Sequence, residues 1–384
     1  MIVAMAAVAH VKIDAAGEKR VLYLVDKSGF GGVQTIAYTL MRHGVDERIG
    51  MDFFFLRNIN DRFGMEDVRE PNVFYSRATH RYSLRPFVEI LRFIREKKVS
   101  ILHLNGNKSI ILGLVIKKLF QPTIKIIAHE HGGVFDYSRW YAAFLKSFRN
   151  SFDLFITISN YRKHFLVERC LVAPSAIRVI DNFVDPARLA TASASACGHT
   201  DRCDSEGDKP FVIGYVGGLS RIKGCDVLIR ALPPLRERLG NFRVMIAGDG
   251  PARAELEELV AALGLGDIVS FLGFVDPPGI AYAQFDMMVI PSRSEEGPIC
   301  LYEAWMMGLP VVASNAPVLN ERIRDGETGI LFQSDEPCDL AEKIYSVCRN
   351  PDVAAHIRAG GSCEAARHTV ERYRGDLRDV YLSL

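Results

Sequence analysis

A chain of 384 residues, 48% apolar and 10% aromatic, is a folded protein, long for one hydrophobic core and comfortable for two. The net formal charge of +1 excludes neither acidic nor basic partners, but the charge is uneven: Arg81 to Arg169 holds 16 Lys/Arg against 6 Asp/Glu, the remainder 31 against 40. The basic residues lie among aromatic ones rather than in one tract, which disfavours nucleic acid, and no uncharged run approaches the ~20 residues of a membrane span.

Residues 1–18 read as an N-terminal extension, with no Lys or Arg ahead of the apolar start of a kind that would mark a signal peptide. A strand at Val21–Val25 runs into a glycine loop, Gly29 to Gly32, and a helix from Val33 to about His43. The G-x-G-G spacing is not the dinucleotide fingerprint, but it allows backbone to approach a ligand closely. Strands at 51–56, 73–75, 101–104, 125–129 and 154–159 then alternate with helices at 84–98, 110–120, 138–149 and on to Arg169. Such alternation predicts a doubly wound parallel sheet. His103, His129 and His131 are expected at or just beyond strand ends, and His131-Gly132-Gly133 opens a loop at the same edge as the glycine loop.

Ile177 to Asp185 closes a first Rossmann-like domain, 19–185. Residues 186–209, rich in Ala, Ser, Asp and Gly, read as a linker. Cys197, His199 and Cys203 fall there, but nothing in their spacing makes a metal site. With no C-x-x-C pair among eight cysteines, a reduced, cytoplasmic setting is predicted. A second alternation fills 210–363: strands at 211–216, 242–247, 269–272, 287–290, 311–313 and 329–332, with helices at 226–239, 252–263, 280–284, 299–307 and 338–349. A helix at 364–384, with Tyr373, Leu377, Val380 and Tyr381 on one face, is expected to pack back toward the first domain.

The most informative stretch is Pro291 to Ser314, which reads as strand, acidic loop, helix, strand, with the loop at the carboxyl edge of the sheet. Glu295 lies in the loop and Glu303 in the helix. The first helical amides, of Ile299, Cys300 and Leu301, lack intrahelical partners and suit a phosphate. Carboxylates would repel that phosphate, so their plausible task is accepting hydrogen bonds from sugar hydroxyls beside it.

Together these residues resemble the retaining GT-B glycosyltransferases of family 4 (glycosyl transferases group 1), over about Val21 to Tyr381. Gly31-Gly32-Val33-Gln34 matches the family's first turn. Ile180 to Asp185 is similar to its I-P-N-G-V-D segment, departing at Asp181 and Phe183. Gly217-Gly218-Leu219 through Lys223-Gly224 resembles G-R-L-x-x-x-K-G, Ala247 to Pro251 matches A-G-D-G-P, and Phe271 to Val275 matches F-x-G-x-V. Glu295 and Glu303 match the E-x7-E pair.

The resemblance implies the GT-B fold, two Rossmann-like doubly wound parallel-sheet domains facing a cleft. It implies Lys223 on the donor diphosphate, Glu303 on the nucleotide ribose and Glu295 on the transferred sugar, with His131 beside that sugar. Gly31, Gly32, Gly217, Gly218, Gly250, Gly297 and the amides of Ile299, Cys300 and Leu301 join the donor contacts. The donor is a UDP- or GDP-sugar and the acceptor a glycan or lipid-linked precursor; no cofactor or metal is implied, and no Asp-x-Asp motif occurs. Two departures matter. Gly218 stands where the family has its phosphate-loop arginine, with Arg221 as the replacement. Glu296 follows Glu295 where the family has glycine, so Glu296 competes for the same role. A nucleotide-sugar 2-epimerase and a non-catalytic nucleotide-sugar-binding protein are the alternatives. Aromatic and basic residues share the helix around 138–149 and recur at Arg92 to Arg95 and Lys117 to Phe120, a mixture that suits the surface of an anionic membrane.

Overall fold

The computed structural model describes residues 19–29, 31–60, 67–78, 80, 83–132, 139–190 and 209–384. The expected extension 1–18, Gly133, the first residue of the 138–149 helix, and Cys197, His199 and Cys203 lie outside the described residues. Two compact units form: residues up to Asn182 together with Glu371–Leu384, and Phe183–Val370.

In unit 1 the strands are β1 (Lys19–Val25), β2 (Ile49–Phe55), β3 (Val73–Tyr75), β4 (Ile101–Asn105), β5 (Lys125–Glu130), β6 (Leu154–Thr157) and β7 (Ile177–Val179). They pair in parallel in the order β3-β2-β1-β4-β5-β6-β7. Parallel neighbours need a crossover, and helices supply most of them: α1 (Gly32–His43), α2 (Arg85–Lys97), α3 (Asn107–Leu119), α4 (Arg139–Phe148) and α5 (Asn160–Glu168). The strands read as near-continuous apolar runs because helices cover both faces. Ile90, Phe93 and Ile94 of α2 are buried at helical spacing.

Unit 2 has β8 (Phe211–Val216), β9 (Phe242–Ala247), β10 (Val269–Gly273), β11 (Met287–Ile290), β12 (Val311–Ser314) and β13 (Ile330–Phe332), all parallel in the order β10-β9-β8-β11-β12-β13. Its helices are α6 (Cys225–Arg236), α7 (Arg253–Ala262), α8 (Gly279–Tyr282), α9 (Ile299–Met306), α10 (Pro317–Arg322), α11 (Pro337–Arg349) and α12 (Pro351–Ala365). The final helix is α13 (Val370–Ser383).

Four expectations change. His103 is not at a strand end: it sits mid-strand in β4 and is fully buried, as is His129 in β5. The single helix over 364–384 is two, α12 and α13, because the chain between them is drawn into other bonds: the His368 carbonyl accepts from the Val184 amide at 3.0 Å. Helix α12 was missed although it is capped in a readable way, by Asn350, whose side chain accepts from the Val353 amide, followed by Pro351. Residues 186–190, read as linker, instead form a 3-10 turn (Pro186–Arg188) and bury Leu189 in a core cluster of unit 2.

Candidate active site

In unit 2 the strand order reverses between β8 and β11, so the loops that follow those strands part from each other and leave a crevice at the sheet's carboxyl edge. The loop after β8 is tied to its neighbours by backbone. Gly217 donates to the Ala247 carbonyl and Leu219 to the Asp249 carbonyl, both at 3.0 Å. A Cβ on Gly250 would meet the Leu219 carbonyl at 2.3 Å, so this glycine, expected at the donor, is demanded by loop packing. Gly224 adopts φ +64°, and a Cβ there would lie 2.0 Å from the Pro291 carbonyl. This close approach brings Lys223, at the end of a 3-10 turn, against the loop after β11.

Lys223 Nζ donates to Glu295 Oε1 at 2.6 Å, and Ser292 Oγ donates to the same oxygen at 2.8 Å. Burial works against the Lys223 ammonium, but Glu295 outweighs it and holds the group above its ordinary value. Arg293 fixes the two loops to each other, through Asp226 at 2.7 and 2.8 Å and the Arg221 carbonyl at 2.6 Å. Glu295 is therefore the loop carboxylate bonded to Lys223, and the charge of Glu296 adds a smaller upward pull on the same ammonium.

Eight residues after Glu295, Glu303 is buried on α9. The Tyr282 hydroxyl donates to its Oε2 at 2.9 Å, and Arg188 Nη1 reaches its Oε1 at 3.5 Å. Burial pushes the Glu303 carboxyl up, and Arg188 and Tyr282 pull it back down. Between the glutamates lies the start of α9, without a side-chain cap. Here one expectation narrows: the Leu301 amide already donates to the Pro298 carbonyl at 3.0 Å, which leaves Ile299 and Cys300. The Cys300 thiol is pushed up to about 12 by burial, then by Glu295, and so stays protonated. Gly218 is exposed, and a Cβ there would meet only the Asp249 carbonyl at 4.0 Å. The backbone thus has room for the family's arginine. Arg221 is exposed in the 3-10 turn.

In unit 1, Gly31 has φ +150°, and its missing Cβ leaves space for the Gln34 side chain, which donates to the Lys27 carbonyl at 3.1 Å. Gly32 opens α1. His131 follows β5, its Nε2 at 2.9 Å from Asn105 Oδ1. Asn105 Nδ2 donates to the Leu24 carbonyl at 3.1 Å, which orients the amide, so His131 carries its proton on Nε2 and keeps Nδ1 as an acceptor. Burial takes His131 down to about 3, making it a neutral group. It stacks on His129 at 3.9 Å, which contacts His103 at 2.9 Å, which in turn contacts the Tyr381 hydroxyl of α13 at 2.6 Å.

Residues 30–188 match the model of Glycosyltransferase Family 4, and residues 210–350 match that of Glycosyl transferases group 1. The chain belongs to this family of glycosyltransferases. Among curated relatives of this family 4 chain, the alpha-D-kanosaminyltransferase of Streptomyces kanamyceticus is 32% identical over 179 residues, 45% of this chain and 46% of the relative. The D-inositol 3-phosphate glycosyltransferase of Salinispora tropica is 30% identical over 234 residues, 56% of this chain and 48% of the relative. The family 4 chain thus spans about half the length of these relatives. Among solved structures, Anabaena HepE in complex with UDP and glucose matches with a TM-score of 0.78 at 20% identity, covering 96% of this chain and 100% of that one. The lipopolysaccharide outer core galactosyltransferase WaaB matches at 0.72 and 19%, covering 95% and 100%. The fold is GT-B.

Sequence reasoning did not find Ser292, Tyr282, Arg188 or Asn105. All four act on a glutamate or histidine that it did find. Ser292 is local, three residues before Glu295, but tertiary placement alone brings the other three, Arg188 from 115 positions away in the chain.

Proposed function

We propose that this family 4 protein is a retaining glycosyltransferase that moves a hexose-type sugar from a UDP- or GDP-sugar to a glycan or lipid-linked acceptor, without a metal or other cofactor. The observation that carries the reading is the arrangement at the unit 2 switch point: Lys223 and uncapped helix amides for a diphosphate, flanked by the carboxylates of Glu295 and Glu303 for hydroxyls. As the donor breaks, negative charge develops on the departing diphosphate, and fixed cationic groups stabilise it without reorganisation. Arg221 supplies the second cation missing at Gly218. His131 touches the transferred sugar through Nδ1 as a neutral acceptor. Curated relatives named as glycosyltransferases for kanosamine and inositol phosphate support sugar transfer in general and leave the acceptor open.

The test is incubation with UDP- and GDP-sugars, with and without candidate acceptors. Transfer appears only with acceptor, beyond slow hydrolysis. Epimerisation of the free donor would move the assignment to a 2-epimerase, and donor binding without turnover to a binding protein. Within the site, Glu303→Ala weakens binding of the nucleoside diphosphate, whereas Glu295→Ala spares it and cuts turnover. Calorimetric titration of both variants with UDP and GDP checks this, and equal affinities would reject the division of roles.

The chain is further proposed to work in the cytoplasm on the inner membrane face. Among the described residues no helix is long and apolar enough to cross a membrane. Trp140 of α4 is 66% exposed and stacks on Phe144, with Arg139 and Lys146 on the same helix; Leu119 and Phe120 are exposed beside Lys117 and Lys118. Sedimentation with anionic vesicles, lost at high salt and absent with neutral ones, tests this reading.

A further inference from the structure

The partners of Glu303 extend the reading of that residue as a ribose contact, and the role inferred for Arg188 rests on that reading. A carboxylate has about four lone-pair positions on two oxygens. One on Oε2 is taken by the Tyr282 hydroxyl, and one on Oε1 faces Arg188 Nη1. One acceptor position is left on each oxygen, which is what two vicinal hydroxyls require.

Arg188 is held in place rather than swinging from the surface. It ends the 3-10 turn Pro186–Arg188, whose first free amide, of Ala187, donates to Asp185 Oδ1 at 3.0 Å. The next residue, Leu189, is buried, and its carbonyl lies where a Cβ on Gly279 would stand, 2.4 Å away. Gly279 begins α8, and α8 carries Tyr282. One packed assembly thus presents both partners of Glu303. Arg188 also faces Asp276 at 3.9 Å and is about a quarter exposed, so it borders solvent. Among the described residues no other cation lies within ion-pair distance of Glu303.

We propose that Arg188 is a positioning residue for the nucleotide: through Glu303 Oε1 it fixes that carboxylate as a double acceptor for the two vicinal hydroxyls of a ribose. Without the guanidinium, a carboxyl already pushed up by burial is left with the Tyr282 hydroxyl, the Asp276 carboxylate and the Cys300 thiol around it. Of these only the Asp276 carboxylate is charged, and its charge is negative, so Glu303 then takes up a proton more readily and loses one acceptor position. The preference for ribose over deoxyribose should fall with it.

The experiment is calorimetric titration of wild type, Arg188→Met, Arg188→Lys, Glu303→Ala and the Arg188→Met/Glu303→Ala double variant between pH 5.5 and 8. The probe is whichever of UDP and GDP binds wild type more tightly, together with its 2′-deoxy form. Arg188→Met is expected to weaken binding by roughly tenfold or more, as loss of a charge-assisted bond does. The loss should deepen as pH falls, the ribo-to-deoxy preference should shrink, and Arg188→Lys should restore part of both. In the Glu303→Ala background Arg188→Met should cost nothing more. An Arg188→Met variant with the wild-type pH profile and the wild-type ribo-to-deoxy ratio overturns the inference, even if its overall affinity is lower. Unchanged affinity in Glu303→Ala overturns the ribose reading itself, and the inference with it.

Discussion

Each unit has one place where its strand order reverses, and the two places are finished differently. In unit 1 it lies between β1 and β4. There Asp26, just past β1, places its carboxylate on the start of α3 and accepts from the Lys108 amide at 3.0 Å and the Ser109 amide at 2.8 Å. Gly106, at φ +110°, makes room, since a Cβ there would be 2.7 Å from the carboxyl. In unit 2 the corresponding helix is α9, after β11 and beside β8, and no side chain caps it. The same topology therefore carries its own anion in one unit and leaves the helix start open for one in the other. Burial pushes the Asp26 carboxyl up while those amides pull it down.

The interiors differ in the same sense. Unit 1 buries polar groups within or just beyond its strands: the His103–His129 pair, and Glu130, whose Oε2 takes the fully buried Arg162 at 2.8 Å and whose Oε1 takes the Tyr141 hydroxyl at 2.6 Å. In unit 2 the buried charged groups among the described residues are Asp185, Glu295 and Glu303, none of them on a strand. Unit 1 uses buried charge to hold itself together, whereas unit 2 sets Glu295 and Glu303 in the loop and helix that follow β11.

The strongest way to break the unit 1 half of this comparison is Arg162→Met. Leaving Glu130 buried without its cation is expected to cost about 3–5 kcal/mol. Urea unfolding followed by circular dichroism measures this, while emission from Trp305, buried in unit 2, shows whether the other unit is spared once Trp140 of unit 1 is replaced by Phe in both proteins.

Lys223→Ala is the counterpart in unit 2. Turnover is expected to fall roughly 10²-fold or more, as removal of one preorganised donor does, with a smaller loss of stability than in Arg162→Met because Lys223 is one-third exposed and water can take its place beside Glu295. A large loss of stability with little loss of turnover would reverse the contrast between the units.

Acid sharpens it further. Burial holds His103 and His129 neutral, well below their ordinary range, and takes His131 down to about 3. In the unfolded chain histidine protonates near pH ~6.5. Below that pH the unfolded state binds protons that the native state does not. Stability is thus fully present above pH ~6.5 and declines as pH falls, by up to about 1.4 kcal/mol per pH unit for each histidine. Urea midpoints between pH 7.5 and 5 test this, and a flat profile would show that the histidines are charged or solvated.

The smallest effect belongs to Asp26→Ala. Loss of this cap is expected to cost about 1 kcal/mol, read from the unfolding midpoint. A null result would mean that water replaces the carboxylate at α3, as a ligand is proposed to do at α9.

Much of the fold was legible because a parallel strand covered on both faces must be apolar throughout, and because a crossover helix must follow it. The runs at Val21–Val25, Met287–Ile290 and Val311–Ala313 follow that rule. The E-x7-E pair, Lys223 and the glycine loops were legible as well, being local in the chain. His103 was misplaced because no local pattern separates a histidine within a strand from one at its end; the Tyr381 hydroxyl that accommodates it comes from 278 residues away.

The chain's pattern of apolar runs, glycines and charges by itself determined the α/β class, the two alternations and the glutamates of unit 2. Tertiary structure alone decided the state of those groups. It set Lys223 against Glu295, closed the Leu301 amide with the Pro298 carbonyl, filled α3 with Asp26 and brought Arg188 to Glu303. The physical reason is range. Secondary structure and loop chemistry are dictated by residues within a turn or two of each other. The charge and hydrogen bonding of a buried group are dictated by whatever folding places within about 4 Å of it.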